Sequence, residues 1–222
     1  MRAVFTAGKS LGAVASLAVG LQTGDNNRFL RLWWEVSGTR TAFSCTSREE
    51  AAASGARWFP YNKGGEFRKW YGNHEYVLNW EHDGAEIVAF KPRSVIRNPR
   101  TYFSPSVSWS KISSGAPAFR SYPAGFIYDV AGTSIFAATD SERAGLLSYT
   151  NSHVVLEQLA AIAPTLNYEV GQVAGLPVAD GTAESGAARA VAAIAEAKSD
   201  WDDFETSWEF ARSPLVAQFE RG

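Results

Sequence analysis

Cysteine is nearly absent from this chain of 222 residues: Cys45 is the only one. A single thiol cannot form an intrachain disulfide or a cysteine-built zinc site, and its isolation fits a reducing, cytoplasmic compartment. It reads as a small buried residue rather than a nucleophile. Histidine is scarce too. His74, His82 and His153 stand far apart, without an HExxH spacing, and read as satisfied or exposed side chains rather than metal ligands. No G-x-S-x-G is present, so serine-based hydrolysis lacks its strained elbow. No apolar run approaches the about 18 residues that a membrane span requires. In Met1–Gly20 an apolar stretch is broken by Gly8, Lys9, Ser10 and Gly12, which argues against a signal peptide and for a buried strand or entry segment. The Ala3–Ser10 match to a phosphate-binding loop has Ala where the first Gly belongs, and Gly12 weakens the helix that should follow. Last, no Asp or Glu occurs from Ile87 to Tyr128.

That acid-free window carries Lys91, Arg93, Arg97, Arg100, Lys111 and Arg120. Beyond Asp180 the balance reverses, with acids from Glu184 to Glu220 outnumbering Arg189, Lys198, Arg212 and Arg221. A basic middle and an acidic end can hide a local electropositive face behind the net charge of −2. The 8 Trp, 8 Tyr and 13 Phe supply either a large core or stacking surfaces for bases or sugars. A hydrophobic fraction of 45% and a charged fraction of 20% fit an ordinary globular chain.

Alternating patterns predict strands at Phe29–Val36, Tyr76–Trp80, Glu86–Phe90, Val107–Ile112 and Gly125–Val130, with Asp83-Gly84 as a hairpin turn between the second and third. Ser47–Ala56 reads as an Ala-rich linker or short helix. A helix follows, capped by Asp140 or Ser141 and stopped at Pro164. Thr165–Val173 reads as extended. The expected fold class is α+β: a β-rich domain of mixed or antiparallel strands over residues 1–178, a linker over 179–186, and a helical tail over 187–222 that docks on the domain or on a partner. Asp200, Asp202 and Asp203 read as dipole-complementing acids at a helix start rather than a cation site.

Chemistry-bearing residues gather in three polar, glycine-bearing loops. The first is Gly24-Asp25-Asn26-Asn27-Arg28. The second, Lys63-Gly64-Gly65, sits inside a run from Arg57 to Gly72 that mixes rings, glycines and cations. The third is Trp109-Ser110-Lys111-Ile112-Ser113-Ser114-Gly115. Backbone amides beside cations and short polar side chains suit an extended anion such as a phosphate backbone. Plain turns are the alternative. Phe59, Trp70 and Tyr71 read as core that stiffens the second loop.

Gly20–Phe29, Trp58–Gly72, Trp109–Ser114, Phe126–Gly132, Pro164–Gly171 and Ser199–Trp208 resemble, in order, the C-terminal target-recognition domain of PglX-type adenine-specific DNA methyltransferases of BREX phage-defence systems, which is related to type I and IIG restriction-modification specificity domains. The helix from Leu146 to Val155 with Asn151-Ser152 is similar to one in such domains. The family's catalytic Asn-Pro-Pro-Tyr type motif and S-adenosylmethionine site lie upstream of this region. Neither is in this chain, and Asn98-Pro99-Arg100 is no substitute. The resemblance therefore implies a specificity module, as a fragment, truncated gene or separate subunit, that does not methylate DNA alone. S-adenosylmethionine is expected in a separate catalytic domain, with no cofactor or metal here. The implied partners are double-stranded DNA and that catalytic domain or other defence subunits, with no membrane. Thr23, Asn26, Asn27, Lys63, Gly64 and Gly65 are implied for backbone positioning, with Arg28, Ser113 and Ser114 in the same loops. Arg68, Lys69 and Lys111 are implied for base edges or phosphates, Arg68 first for guanine. A carbohydrate-binding module, suggested by the Trp and Tyr content, and a protein-interaction subunit docking through its acidic tail are the other readings.

Overall fold

The computed structural model describes residues 8–113, 115–165 and 167–219. Among the described residues ten short strands are interspersed with helices, and the last four before the Asp140 helix follow one another directly. They are β1 (Lys9–Ser10), β2 (Ser16–Ala18), β3 (Leu30–Leu32), β4 (Trp58–Asn62), β5 (Tyr76–Asn79), β6 (Ser106–Trp109), β7 (Phe119–Tyr122), β8 (Ile127–Tyr128), β9 (Ser134–Phe136) and β10 (Pro177–Val178). One sheet has the order β3-β5-β4-β8, antiparallel except where Tyr61 and Asn62 of β4 run parallel to Ile127 and Tyr128. The other, β2-β9-β6-β7, is antiparallel throughout. β1 pairs with β10 and ties the start of the described chain to residues 177–178. The fold is α+β.

Each sheet has its own apolar core. Phe29, Phe59, Tyr61, Leu78, Trp80, Ile87 and Phe103 fill the first, which also buries Cys45. Burial, then the nearby Glu50, pushes the Cys45 thiol up from 9.0. Val107, Trp109, Phe119, Ile135, Leu147 and Leu159 fill the second. Asn62, at the end of β4, joins the two. Its Nδ2 donates to Ser108 Oγ at 2.7 Å and to the Gly132 carbonyl at 3.1 Å, and its own carbonyl accepts from Asp129 N at 2.9 Å. A buried amide is tolerated where its bonds are made, and here they fix how the sheets meet.

Several expected elements differ. Glu86–Phe90 is not a strand but part of a helix over Glu81–Ala89. His82, Asp83 and Gly84 take left-handed conformations (φ 53°, 56° and 74°), and Asp83 accepts from Trp80 Nε1 at 3.2 Å and pairs with Arg48. The Asp-Gly pair therefore turns the chain locally instead of closing a hairpin. Phe29–Val36 is a strand only over Leu30–Leu32. Asp25 caps a helical turn over Asn26–Phe29 by accepting from Arg28 N at 3.1 Å, and Trp33–Glu35 closes into a 3₁₀ turn.

The single helix expected before Pro164 is two, Asp140–Thr150 and His153–Ile162. Thr139, not Asp140 or Ser141, is its cap. Glu142 N donates to Thr139 Oγ1 at 3.2 Å and Thr139 N to Glu142 at 3.0 Å, a reciprocal capping box. Asn151 breaks the run because its amide exchanges two bonds with the backbone of Phe119, at 2.8 and 3.1 Å. The stretch Thr165–Val173, expected extended, turns into a helix over Val170–Ala174.

The acidic tail forms a helix over Ala187–Asp202 that packs on the Asp140–Thr150 helix and buries Ala190 and Trp201. Asp200, Asp202 and Asp203 therefore lie at its C-terminal end, where the dipole disfavours them, not at its start. Ion pairs from Lys198 to Asp202 and from Arg68 to Asp200 offset that. Among the described residues no helix is long and apolar enough to cross a membrane.

His74 is neither exposed nor satisfied. It is 1% exposed, neither ring nitrogen has a hydrogen-bond partner, and its ring packs against Tyr71, Tyr122 and Phe126 at 4.5–4.7 Å and stacks with Trp208. Burial, then the charges of Arg120 and Lys198, pull its pKa from 6.5 down to about 3. The unfolded chain takes up this proton first as pH falls. The stabilisation is complete above about 6.5 and is lost as pH drops toward about 3. At about 1.4 kcal/mol per unit, moving from pH 7 to pH 5 is expected to cost about 2 kcal/mol from this group. Urea unfolding at the two pH values checks it: His74→Phe is expected to lose that part of the slope, and an unchanged slope would contradict it.

Candidate nucleic-acid interface

Beyond β4 the chain turns sharply at Lys63-Gly64-Gly65. Gly64 N donates to Asn62 Oδ1 at 3.0 Å, and φ values of 79° and 127° place both glycines where an L side chain is strained. Trp70 (φ 72°) and Asn73 (φ 59°) continue the strain, which for a bulky Trp is rare. β7 holds it in place: Trp70 N donates to the Phe119 carbonyl at 3.0 Å, and the Trp70 carbonyl accepts from Ser121 N at 2.7 Å.

Arg120 supports this loop from within. It is fully buried. Its Nη1 donates to the carbonyls of Glu66 (3.4 Å) and Arg68 (3.2 Å), its Nη2 to Ser110 Oγ (2.7 Å), and Ser110 donates in turn to the Gly65 carbonyl at 2.7 Å. Carbonyl and hydroxyl dipoles surround this guanidinium, which forms no ion pair with a described residue. The window's Arg120 is thus a structural residue, not a surface cation.

Three hollows of about 400, 420 and 480 Å³ meet at Lys63. Thr23, Gly24, Asn26 and Asp129 line the first; Asn26, Asn27, Arg31 and Tyr76 the second; Gly64, Gly65, Phe67, Arg68, Asn73, Glu75 and Trp201 the third. Seven of the residues singled out from sequence, Thr23, Asn26, Asn27, Lys63, Gly64, Gly65 and Arg68, therefore share one concave surface. Thr23 is buried and donates to Asn26 Oδ1 at 2.6 Å, which fixes that amide at the rim. Arg28 lies outside the hollows, over the rings of Phe29 and Phe90 at 5.0 Å each and 3.7 Å from Glu86. Lys69 turns to the Asn151 carbonyl at 3.4 Å, and Lys111 pairs with Glu169 at 2.9 Å. Ser113 caps its own exposed loop through the Ala116 carbonyl at 3.3 Å. Ser114 and the Ala3–Ala7 part of the phosphate-loop match lie outside the described residues.

The cations in the hollows are not free. Lys63 Nζ stands 2.8 Å from Asp129, a carboxylate only 2% exposed that also accepts from Tyr61 OH at 2.7 Å and Ala131 N at 2.8 Å. Burial, then Asp129, holds the Tyr61 hydroxyl well above its usual range. Arg68 lies over Trp201 at 4.9 Å and 3.3 Å from Asp200. Burial and Glu66 raise the Glu75 carboxyl from 4.5, against the opposing charge of Arg68.

Sequence reasoning missed Asn62, Arg120 and Asp129, all of which act from inside. It also missed Phe67, whose ring is 63% exposed beside the third hollow. An aromatic two residues after a Gly-Gly turn was the available signal for Phe67. Phe59 and Tyr71 are buried, and Trp70 packs partly buried against the second core.

No family model matches the chain. Curated proteins do. The chain is similar to a segment of adenine-specific methyltransferases. It is 35% identical over 209 residues to the adenine-specific methyltransferase PglX of Lacticaseibacillus casei (strain Zhang), covering 91% of this chain and 17% of that protein. It is 37% identical over 210 residues to the adenine-specific methyltransferase BrxX of Escherichia coli O9:H4 (strain HS), covering 93% of this chain and 16% of that protein. The chain thus spans about a sixth of the length of these relatives. Asn98 takes a left-handed conformation on an exposed loop, and its amide is spent on the Val19 carbonyl at 2.9 Å. Among the described residues no three His, Cys, Asp or Glu side chains converge to hold a metal.

Proposed function

We propose that this chain is the target-recognition module of an N6-adenine DNA methyltransferase acting in phage defence in the cytoplasm. Its partners are double-stranded DNA and a catalytic domain that supplies the S-adenosylmethionine chemistry. The single observation that carries the reading is the meeting at Lys63 of three hollows, lined by residues far apart in sequence and set in a chain similar to such enzymes. Adenine must leave the stack to be methylated, and a second domain that grips neighbouring base pairs fixes which adenine is presented. Asn26, Asn27 and the Gly64-Gly65 amides position the backbone. Arg68 is the base reader: its pair with Asp200 is exposed, and such pairs are worth about 0–1 kcal/mol, so exchanging it for a guanine edge costs little. Lys63 keeps its charge committed to Asp129 and acts as a hinge of the surface more than as a phosphate ligand.

Sugar binding has little support, because among the eight tryptophans Trp34 alone is exposed. Titration of fluorescent duplexes between low and moderate salt tests the reading. Binding is expected to be weak and to fall with a log–log slope of about −0.9 per phosphate contacted. Glycan binding that ignores salt, with no duplex binding, would contradict it.

A further inference from the structure

The acid-free window carries three exposed cations on one short segment. Residues 91–100 run over the surface with Lys91, Arg93 and Arg100 exposed, and none of these three forms an ion pair with a described residue. Arg97 is different: it is half-buried and its Nη1 is enclosed without a partner. The segment is pinned beside the first hollow by a two-bond bridge. Gln22 N donates to the Val95 carbonyl and Val95 N to the Gln22 carbonyl, each at 2.8 Å, and Gln22 lines that hollow. Arg28 joins the patch from the other side. Its guanidinium and that of Arg93 sit over the same ring, Phe90, at 5.0 and 5.6 Å. Among the described residues the carboxylate that pairs with this group is Glu86, 3.7 Å from Arg28.

We propose that Lys91, Arg93 and Arg100, with Arg28, form the phosphodiester-docking surface of this chain, flanking the hollows that carry base readout. The inference rests on the DNA reading above and assigns its sequence-independent part. Lys63, Arg68 and Lys111 must each surrender a carboxylate to meet a phosphate. The three exposed cations of the 91–100 segment have none to surrender, and their neutralisation by DNA releases counterions without a competing cost. Phosphate contacts set register and orientation and carry no sequence information. Three unpaired cations, with Arg28 beside them, flank a concave surface of paired and neutral groups and divide the two tasks.

The test compares the 222-residue chain with the triple variant Lys91→Ala/Arg93→Ala/Arg100→Ala on several unrelated duplexes across a salt series. The variant is expected to shrink the log–log salt slope by about 3, one per contact, and to weaken binding at least about tenfold at low salt, to the same factor for every duplex. The charge-preserving variant Lys91→Arg/Arg93→Lys/Arg100→Lys is expected to keep the slope, which separates lost charge from lost fold. If the parent binds duplex but the alanine variant keeps its slope and affinity, the docking assignment is overturned and the DNA reading stands. If the parent binds no duplex at any salt, the DNA reading falls and takes this inference with it. A loss confined to one duplex sequence also overturns it, because that is base readout.

Discussion

Gly20→Ala is expected to destabilise the chain by more than about 3 kcal/mol and to leave little folded protein at 37 °C. A methyl placed on Gly20 would stand 1.9 Å from the carbonyl oxygen of Tyr128 and 2.4 Å from its carbon. Both are backbone atoms, so no rotamer change relieves the clash. The approach is close because Leu21 N donates to that same carbonyl at 2.9 Å and Val130 N donates back to Leu21 at 3.1 Å. This bridge also seats Asp129, which holds Lys63, so the damage extends to the candidate interface. Gly171→Ala is the control. It lies in the helix Val170–Ala174 with nothing within 4 Å of an added methyl, and alanine there is expected to gain up to about 1 kcal/mol. Urea midpoints of the two variants decide it. A Gly20→Ala protein within about 1 kcal/mol of the parent would show that the approach is not as close as described.

Arg120→Ala is expected to cost about 3 kcal/mol and to abolish duplex binding. Deletion leaves a void in a fully buried place and strips donors from the Glu66 and Arg68 carbonyls and from Ser110. Each abandoned acceptor costs about 1–3 kcal/mol, offset in part because a buried charge no longer has to be desolvated. Arg120→Lys keeps the charge but cannot fork to two carbonyls and a hydroxyl, so it should recover only part of the loss. The distinguishing readout is hydrogen exchange over residues 64–73, expected to quicken in both variants while the Ala187–Asp202 helix stays protected. Unchanged exchange in that loop would remove Arg120 from the role given to it here.

Much of the fold was legible because it rests on local pattern. The α+β class, the strand at Tyr76–Asn79, the buried rings of Phe59 and Tyr71 and the Ala-rich helix near Arg48 all follow from period and composition. Two of the errors come from polar side chains recruited by partners that the local pattern does not contain. Asn151 breaks a helix whose apolar spacing runs straight through the break, because its amide is claimed by Phe119, 32 residues earlier. Asp83-Gly84 carries a hairpin signature, yet Asp83 is recruited by Trp80 and Arg48. The interface divides the same way. Loop composition picked out Asn26, Asn27, Lys63, Gly64 and Gly65, the resemblance added Thr23 and Arg68, and the fold gathers them. Composition could not show that Asp129 neutralises Lys63 across 66 residues, or that Arg120 points inward while Lys91, Arg93 and Arg100 stay free. Charge counted along a sequence does not reveal which cations are already paired.

The central claim is that this chain reads base sequence in duplex DNA. Selection from a pool of randomised duplexes at low salt tests it most directly. The parent chain is expected to enrich a short common motif, and Arg68→Ala to relax one position of that motif at a cost of about 1–3 kcal/mol in discrimination. A parent chain that binds the pool but enriches no motif would contradict the claim.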